Sequence, residues 1–189
     1  MNRRDALSRV ALLVGGTVVG AEFFLSGCKA SDKKAAGLPL SAEDIAYLDE
    51  IAETIIPATD TPGAKAAKVG EFMHVMVTDC YTEADQKIFL EGMAKINEAC
   101  NKAHGHNFMK ASAEHRKEVL TAIDKEAKEY QSKKKPEDPS HYFALMKQLT
   151  LLGFFTSETG ATKTLRYVAV PGKYEGCIPY NKGDKAWAT

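Results

Sequence analysis

Residues 41–57 read SAEDIAYLDEIAETIIP, and this stretch decides the fold class. Ser41 with Asp44 three positions on is a capping-box-like helix start, with Asp in place of Glu or Gln. Ile45, Leu48, Ile51, Ala52, Ile55 and Ile56 then recur at helical spacing. Pro57 ends the run, because it lacks a backbone N–H and clashes with the preceding turn. Glu43, Asp44, Asp49, Glu50 and Glu53 occupy the rest of this helix. Opposite an apolar stripe they read as a solvated face rather than as an acid–base pair.

The same pattern repeats downstream. Ala58 to Gly63 is a turn-rich loop in which Thr59, Asp60 and Thr61 can bond to nearby backbone. Val69, Phe72, Val75 and Met76 predict a second short helix running to about Asp79. Thr82 and Asp85 read as a cap for a helix carrying Phe89, Met93, Ile96 and Cys100 on one face. Ser112 caps another, carrying Val119, Leu120, Ile123, Ala127 and Tyr130. Lys133-Lys134-Lys135-Pro136 breaks that helix, and a last one starts at Pro139 or Ser140 and runs from Tyr142 to about Phe155. No segment alternates with strand period; Val168-Ala169-Val170 makes one short strand at most. The expected fold is all-α, a bundle of about five helices with an irregular C-terminal tail.

That tail is punctuated by Gly160, Pro171, Gly172, Gly176, Pro179 and Gly183, which interrupt both helical and strand periodicity. It also holds Tyr167, Tyr174, Tyr180, Trp187 and Cys177. Such a segment has no core of its own, yet its rings are poorly suited to water. It lies either against its own domain or against a second protein.

The 189 residues are about one domain by length, and their apolar share of 44% is ordinary for a globular chain. Lys plus Arg and Asp plus Glu are both 25, so the net charge is zero. Nucleic acid is therefore an unsuitable partner, because binding it requires a basic patch that displaces counterions. The lysine run at 133–135 reads as a solvated loop.

Upstream, Arg3-Arg4 precedes a short apolar run from Val10 to Ala21, and Leu25-Ser26-Gly27-Cys28 follows. A basic start, a short apolar centre and small residues before a cleavage point describe an export signal. The apolar centre falls short of the ~20 residues that a membrane-spanning helix needs. Arg3 and Arg4 resemble a twin-arginine signal, used by proteins exported after folding, although Ala6 departs from its pattern and leaves general secretion open. Residues 25–28 resemble a bacterial lipobox, whose cysteine thiolate takes a diacylglycerol group as a thioether. The expectation is a lipoprotein signal over 1–27, lipidation at Cys28, a flexible tether over 28–40 and a helical domain over 41–189. The mature chain would be periplasmic and lipid-anchored.

No Gly-rich phosphate loop is present, and neither is the Cys-x-x-Cys-His sequence that attaches a c-type haem. No catalytic residue, cofactor ligand or metal ligand is therefore assigned to the chain. Cys100, His104 and His106 are the nearest thing to a metal set, but no fourth ligand is close and Gly105 marks a loop, so a solvated loop is the better reading. His74, His115 and His141 are scattered singly.

Three separated motifs carry a family resemblance. They are Ile55–Ala64 with its Pro57 and Pro62-Gly63, Asp79-Cys80-Tyr81, and Leu149–Glu158 continued by Gly160-Ala161-Thr162, Leu165-Arg166-Tyr167, Pro171-Gly172 and Tyr174–Cys177. Together they resemble the gluconate 2-dehydrogenase subunit 3 family over roughly residues 41–189. The resemblance implies a non-catalytic accessory subunit of a periplasmic sugar or sugar-acid dehydrogenase. It further implies a large flavoprotein partner of the glucose-methanol-choline type that carries the FAD, with a cytochrome c as a further component. Relatives accompany enzymes acting on gluconate and others oxidising glucosides at C3. The flavoprotein, folded around FAD before export, would leave the cytoplasm bound to this chain and its Arg3-Arg4 signal. On this reading Phe154, Phe155, Tyr174, Cys177 and Trp187 contact the partner. A stand-alone periplasmic lipoprotein with a ligand-binding or metal-dependent activity is the alternative.

With Cys28 lipidated, Cys80, Cys100 and Cys177 remain, an odd number that allows one internal bridge. Cys100 sits on an apolar helix face and reads as a buried thiol. Cys80 and Cys177 lie at element ends within the family-like motifs and are the disulfide candidates. A loop of ~97 residues closed between them would contribute on the order of 4 kcal/mol. Pairing of Cys177 with the partner subunit is the other possibility.

Overall fold

A computed structural model describes residues 40–170, 172–173 and 176–188. Arg3, Arg4, Cys28 and Tyr174 lie outside the described residues. Five α-helices are present among those described: α1 (Ala42–Ile55), α2 (Val69–Cys80), α3 (Glu83–His104), α4 (Ala113–Lys133) and α5 (Tyr142–Thr156). No described helix is long and apolar enough to cross a membrane.

The caps expected from sequence form. Ser41 Oγ accepts from the Asp44 amide at 3.2 Å, while Asp44 Oδ2 accepts from the Ser41 amide at 2.9 Å. These bonds satisfy amides that the first helical turn leaves without partners. Thr82 Oγ1 and Ser112 Oγ do the same for Asp85 and His115. Gly105, at φ 76°, ends α3 in the left-handed conformation that glycine adopts without a Cβ clash. The cap of α5 is His141, one residue after the expected start, whose Nδ1 accepts from the Phe143 amide.

The core takes Leu48 and Ile51 from α1, Met73 and Val77 from α2, Phe89 and Ile96 from α3, Leu120 and Ile123 from α4, and Phe143, Met146 and Phe154 from α5. Each such side chain contributes about 1.5–3 kcal/mol by leaving water. The α5 helix packs against all four others. It needs two close approaches to do so. A Cβ on Gly153 would lie 2.6 Å from Phe72 Cδ1, and a Cβ on Gly92 of α3 would lie 2.6 Å from the Tyr142 ring. Hydrogen at these positions lets α2 and α3 close on α5.

Glu43 is solvated as expected, but Asp49, Glu50 and Glu53 are not. Asp49 Oδ1 accepts from the Gly70 amide at 2.7 Å, holding the start of α2. Glu53 accepts from the amides of Ala58 and Lys65, tying down the loop after α1. Glu50 pairs with Lys65 and, at 2.5 Å, with Arg116 Nη1. Arg116 also donates to the carbonyls of Phe108 and Met109, so one guanidinium joins α1, the 108–110 turn and α4. Periodicity placed these carboxylates away from the apolar stripe, but it carries no information about donors brought in from other elements.

Beyond Thr156 the chain makes a wide helical turn at Gly160–Thr164 and then becomes irregular. Among the described residues Val168–Val170 form no strand; the one bridge in the tail joins Arg166 and Trp187.

Candidate partner interface

Over Leu145–Phe155 helix α5 carries apolar residues on most of its circumference, with Lys147, Gln148 and the buried Thr150 as the polar exceptions. A helix of that kind is ordinarily covered on every side. Tyr142, Phe143, Met146, Leu149 and Phe154 are buried. Leu151, Leu152 and Phe155 are not: they are 42%, 44% and 40% exposed. Phe155 stands four residues from Leu151 and three from Leu152, so the three side chains form one open apolar surface. The Phe154 ring meets Phe155 edge-on, 5.2 Å between centroids, which holds the outer ring in place.

This placement corrects one of the expected contact residues. Phe154 is 1% exposed and belongs to the core, so it has no surface to offer a partner. The two adjacent phenylalanines face different directions because successive residues on a helix are turned by about 100°, which takes Phe154 inward and leaves Phe155 at the surface. Identity alone does not say which is inward.

The tail adds exposed rings of its own. At Gly160 an added Cβ would lie 1.9 Å from the Phe154 carbonyl oxygen, so the chain turns directly over the end of α5. Arg166 then meets the far end of the tail. Its amide donates to the Ala186 carbonyl at 2.8 Å, and its carbonyl accepts from the Ala188 amide at 2.9 Å. The Arg166 guanidinium carbon lies 4.2 Å from the centre of the Trp187 ring. Lys185 Nζ donates to the Lys163 carbonyl beside them. The two ends of the segment 167–185 are thereby tied together at their base. The loop carries Tyr167, Val168, Val170, Ile178 and Tyr180 outward, with Val170 and Tyr180 about four-fifths exposed, at 82% and 78%. Trp187 is a clasp residue whose remaining surface, 46%, is open.

Cys80 and Cys177 are both exposed free thiols, and Cys100 is a buried one. The Cys80–Cys177 bridge is therefore not formed in this structure; the tail is pinned instead at Arg166 and Trp187. Burial pushes the Cys100 thiol above its ordinary pKa.

Sequence reasoning also missed a gathering of histidines. His104 at the end of α3, His106 in the following loop and His115 at the start of α4 form a stack, with His104 and His115 rings 3.9 Å apart and nearly parallel at 5°. His104 Nε2, His106 Nδ1 and His115 Nδ1 are buried without hydrogen-bond partners. No group of three metal-ligating side chains is placed to hold an ion among the described residues. The geometry explains this, because coordinating lone pairs lie in the plane of an imidazole and stacked parallel rings do not aim them at a common point. His115 lies in the first turn after Ser112, and its spacing from His104 follows no helical or ligand pattern that would have paired them.

A family model described as gluconate 2-dehydrogenase subunit 3 matches residues 42–172, which take in all five helices and the start of the clasped loop. No curated protein and no solved structure matches the chain.

Proposed function

The chain belongs to the gluconate 2-dehydrogenase subunit 3 family, and from that premise we propose that it is a non-catalytic small subunit that binds, stabilises and co-exports a large FAD-dependent dehydrogenase. The partner is a glucose-methanol-choline-type flavoprotein acting on a sugar or sugar acid. The Arg3-Arg4 segment directs both chains to the twin-arginine route, and lipidated Cys28 holds the complex at a membrane in the periplasm. Electrons pass from the substrate to FAD and onward to a cytochrome or a quinone without entering this domain.

The observation that carries the reading is the open outer side of α5. A helix that is apolar on most of its circumference, with Leu151, Leu152 and Phe155 left in water, has the composition of an interior element lacking one neighbour. The clasped loop adds Tyr167, Ile178 and Tyr180, large side chains that lose little conformational entropy when they are covered. A loop already tied at its base spends less ordering entropy on docking than a free tail would.

The test is capture of the tagged chain from its native periplasm and membranes, with a visible spectrum and mass analysis of what co-purifies. A yellow partner of flavoprotein size is the expected result. A colourless chain recovered alone in gentle detergent would overturn the accessory role.

A further inference from the structure

The side-chain charges of this neutral chain are unevenly spread. Residues 40–159, the helical body, hold 14 lysines and arginines against 20 acidic residues, a surplus of −6. Residues 160–189, the tail, hold 5 against 2, a surplus of +3. The sign changes just beyond the end of α5, where the clasped loop begins.

The cations of the loop are in the open. Lys163, Arg166, Lys182 and Lys185 are exposed. Among the described residues none of these four is in an ion pair with a carboxylate. Arg166 is held over the Trp187 ring and Lys185 on the Lys163 carbonyl, so the clasp fixes both without neutralising either. Asp184 is used locally: its carboxylate accepts from the Asn181 amide at 2.9 Å and its amide donates to the Asn181 carbonyl at 3.0 Å. Lys182 stands in the turn that these two bonds close.

The body has the opposite sign, yet the loop is not laid on it. On one segment, open lysines are interleaved with the open side chains of Tyr167, Ile178 and Tyr180. The two kinds of residue do different work at an interface. Aromatic side chains supply buried contact and set how slowly a complex parts, whereas hydrated lysines stay at the rim and act on how fast it forms. The surface that suits this loop is therefore acidic, with apolar recesses for the rings. An extended anionic surface such as a bilayer would also meet the body, whose surplus it repels. A bounded acidic patch on a protein meets the loop alone.

We propose that the clasped loop docks on an acidic patch of the flavoprotein, with Lys163, Lys182 and Lys185 steering the encounter and Tyr167, Ile178 and Tyr180 holding the complex once formed. The proposal rests on the accessory role and adds to it the chemistry of the surface that receives the loop.

The experiment measures association and dissociation rates of the co-purified flavoprotein on the immobilised full chain. Sodium chloride is raised from about 0.01 M to about 1 M, which shortens the screening length from ~30 Å to ~3 Å. Association is expected to slow about tenfold or more over that range, with dissociation much less affected. Lys163→Glu combined with Lys182→Glu should slow association about tenfold at low salt and remove most of its salt dependence. This pair spares the clasp, to which Lys163 contributes only its carbonyl. Lys133→Glu combined with Lys135→Glu makes the same change of charge on the solvated loop after α4 and should leave both rates as in wild type. Tyr180→Ala should speed dissociation and keep the salt dependence.

Salt-independent association, or equal slowing by the two lysine pairs, would overturn the proposal and leave the accessory role standing. Wild-type flavoprotein association by the Lys163→Glu, Lys182→Glu chain would overturn it as well. Loss in that chain of binding to phosphatidylglycerol vesicles, or of salt-dependent self-association, would then give the loop to a lipid surface or to a second copy. Absence of flavoprotein binding at every salt concentration would overturn the accessory role together with the proposal.

Discussion

The Arg166 guanidinium stacks on the Trp187 ring at 4.2 Å while the two neighbouring backbones exchange hydrogen bonds through Arg166. This pairing converts an irregular tail into a loop with a defined base. The part of the chain least able to fold by itself is thereby given a fixed point of its own, outside the helical core.

Trp187→Ala removes the ring half of the clasp, an interaction of about 0.5–2 kcal/mol. The helical core is untouched, so the main thermal transition should move little. Trypsin should instead cleave faster after Lys182, and flavoprotein capture should weaken. Wild-type proteolysis rates in this variant would show that the clasp does not order the loop.

Phe154 and Phe155 differ in what they touch, and their alanine variants should differ accordingly. Phe154→Ala opens a core cavity and is expected to cost about 3–5 kcal/mol. Phe155→Ala should change stability by no more than about 0.5 kcal/mol, as exposed substitutions do. Capture of the partner should behave in the reverse sense, lost in Phe155→Ala with the fold intact. Chemical denaturation followed by circular dichroism separates the two, and a Phe155→Ala chain that retains full capture would remove α5 from the interface.

The pH dependence of stability follows from four groups. Burial opposes ionisation of Glu50, but Lys65 and Arg116 outweigh it and hold its pKa low. Hydrogen bonds from Lys128 and Lys147 hold Asp124 low as well. Both contribute stability above the unfolded carboxylate value of about 4 and lose it as the pH falls through their lower folded values. His141, lowered by burial, adds an earlier loss beginning below its unfolded value of about 6.5. Asp49 is raised by burial and has the opposite sign, regaining stability on acidification. Glu50→Gln should cost about 1–3 kcal/mol at neutral pH and flatten the steep acid limb. Urea midpoints measured from pH 7 to pH 3 test this, and an acid limb as steep as wild type would refute the assignment.

The cysteines give a direct chemical readout. Cys80 and Cys177 should label with a maleimide in the native chain, whereas Cys100, buried and with a raised pKa, should label only in denaturant. Peptide mapping locates the adducts. Protection of Cys80 and Cys177 together until reduction would reinstate the bridge between them.

The helices were legible because their signals are local. Ser41, Thr82 and Ser112 cap through bonds spanning three residues, and the stripe Phe89, Met93, Ile96, Cys100 needs only a period of 3.6 to be read. The family motifs were legible for a related reason, being short runs of fixed residues. What the sequence could not contain was which side of α5 is covered. Residues 149–155 are apolar but for Thr150, so they have no periodicity to orient them, and packing by α1 to α4 separates buried Phe154 from exposed Phe155. The same holds for Glu50 with Arg116, 66 positions apart, and for His104 with His115, joined only when α3 and α4 fold back on each other. Local chemistry in the chain determined that helices form and where they end. Tertiary packing decided which of their side chains remain available to a partner, because availability depends on what other elements leave uncovered.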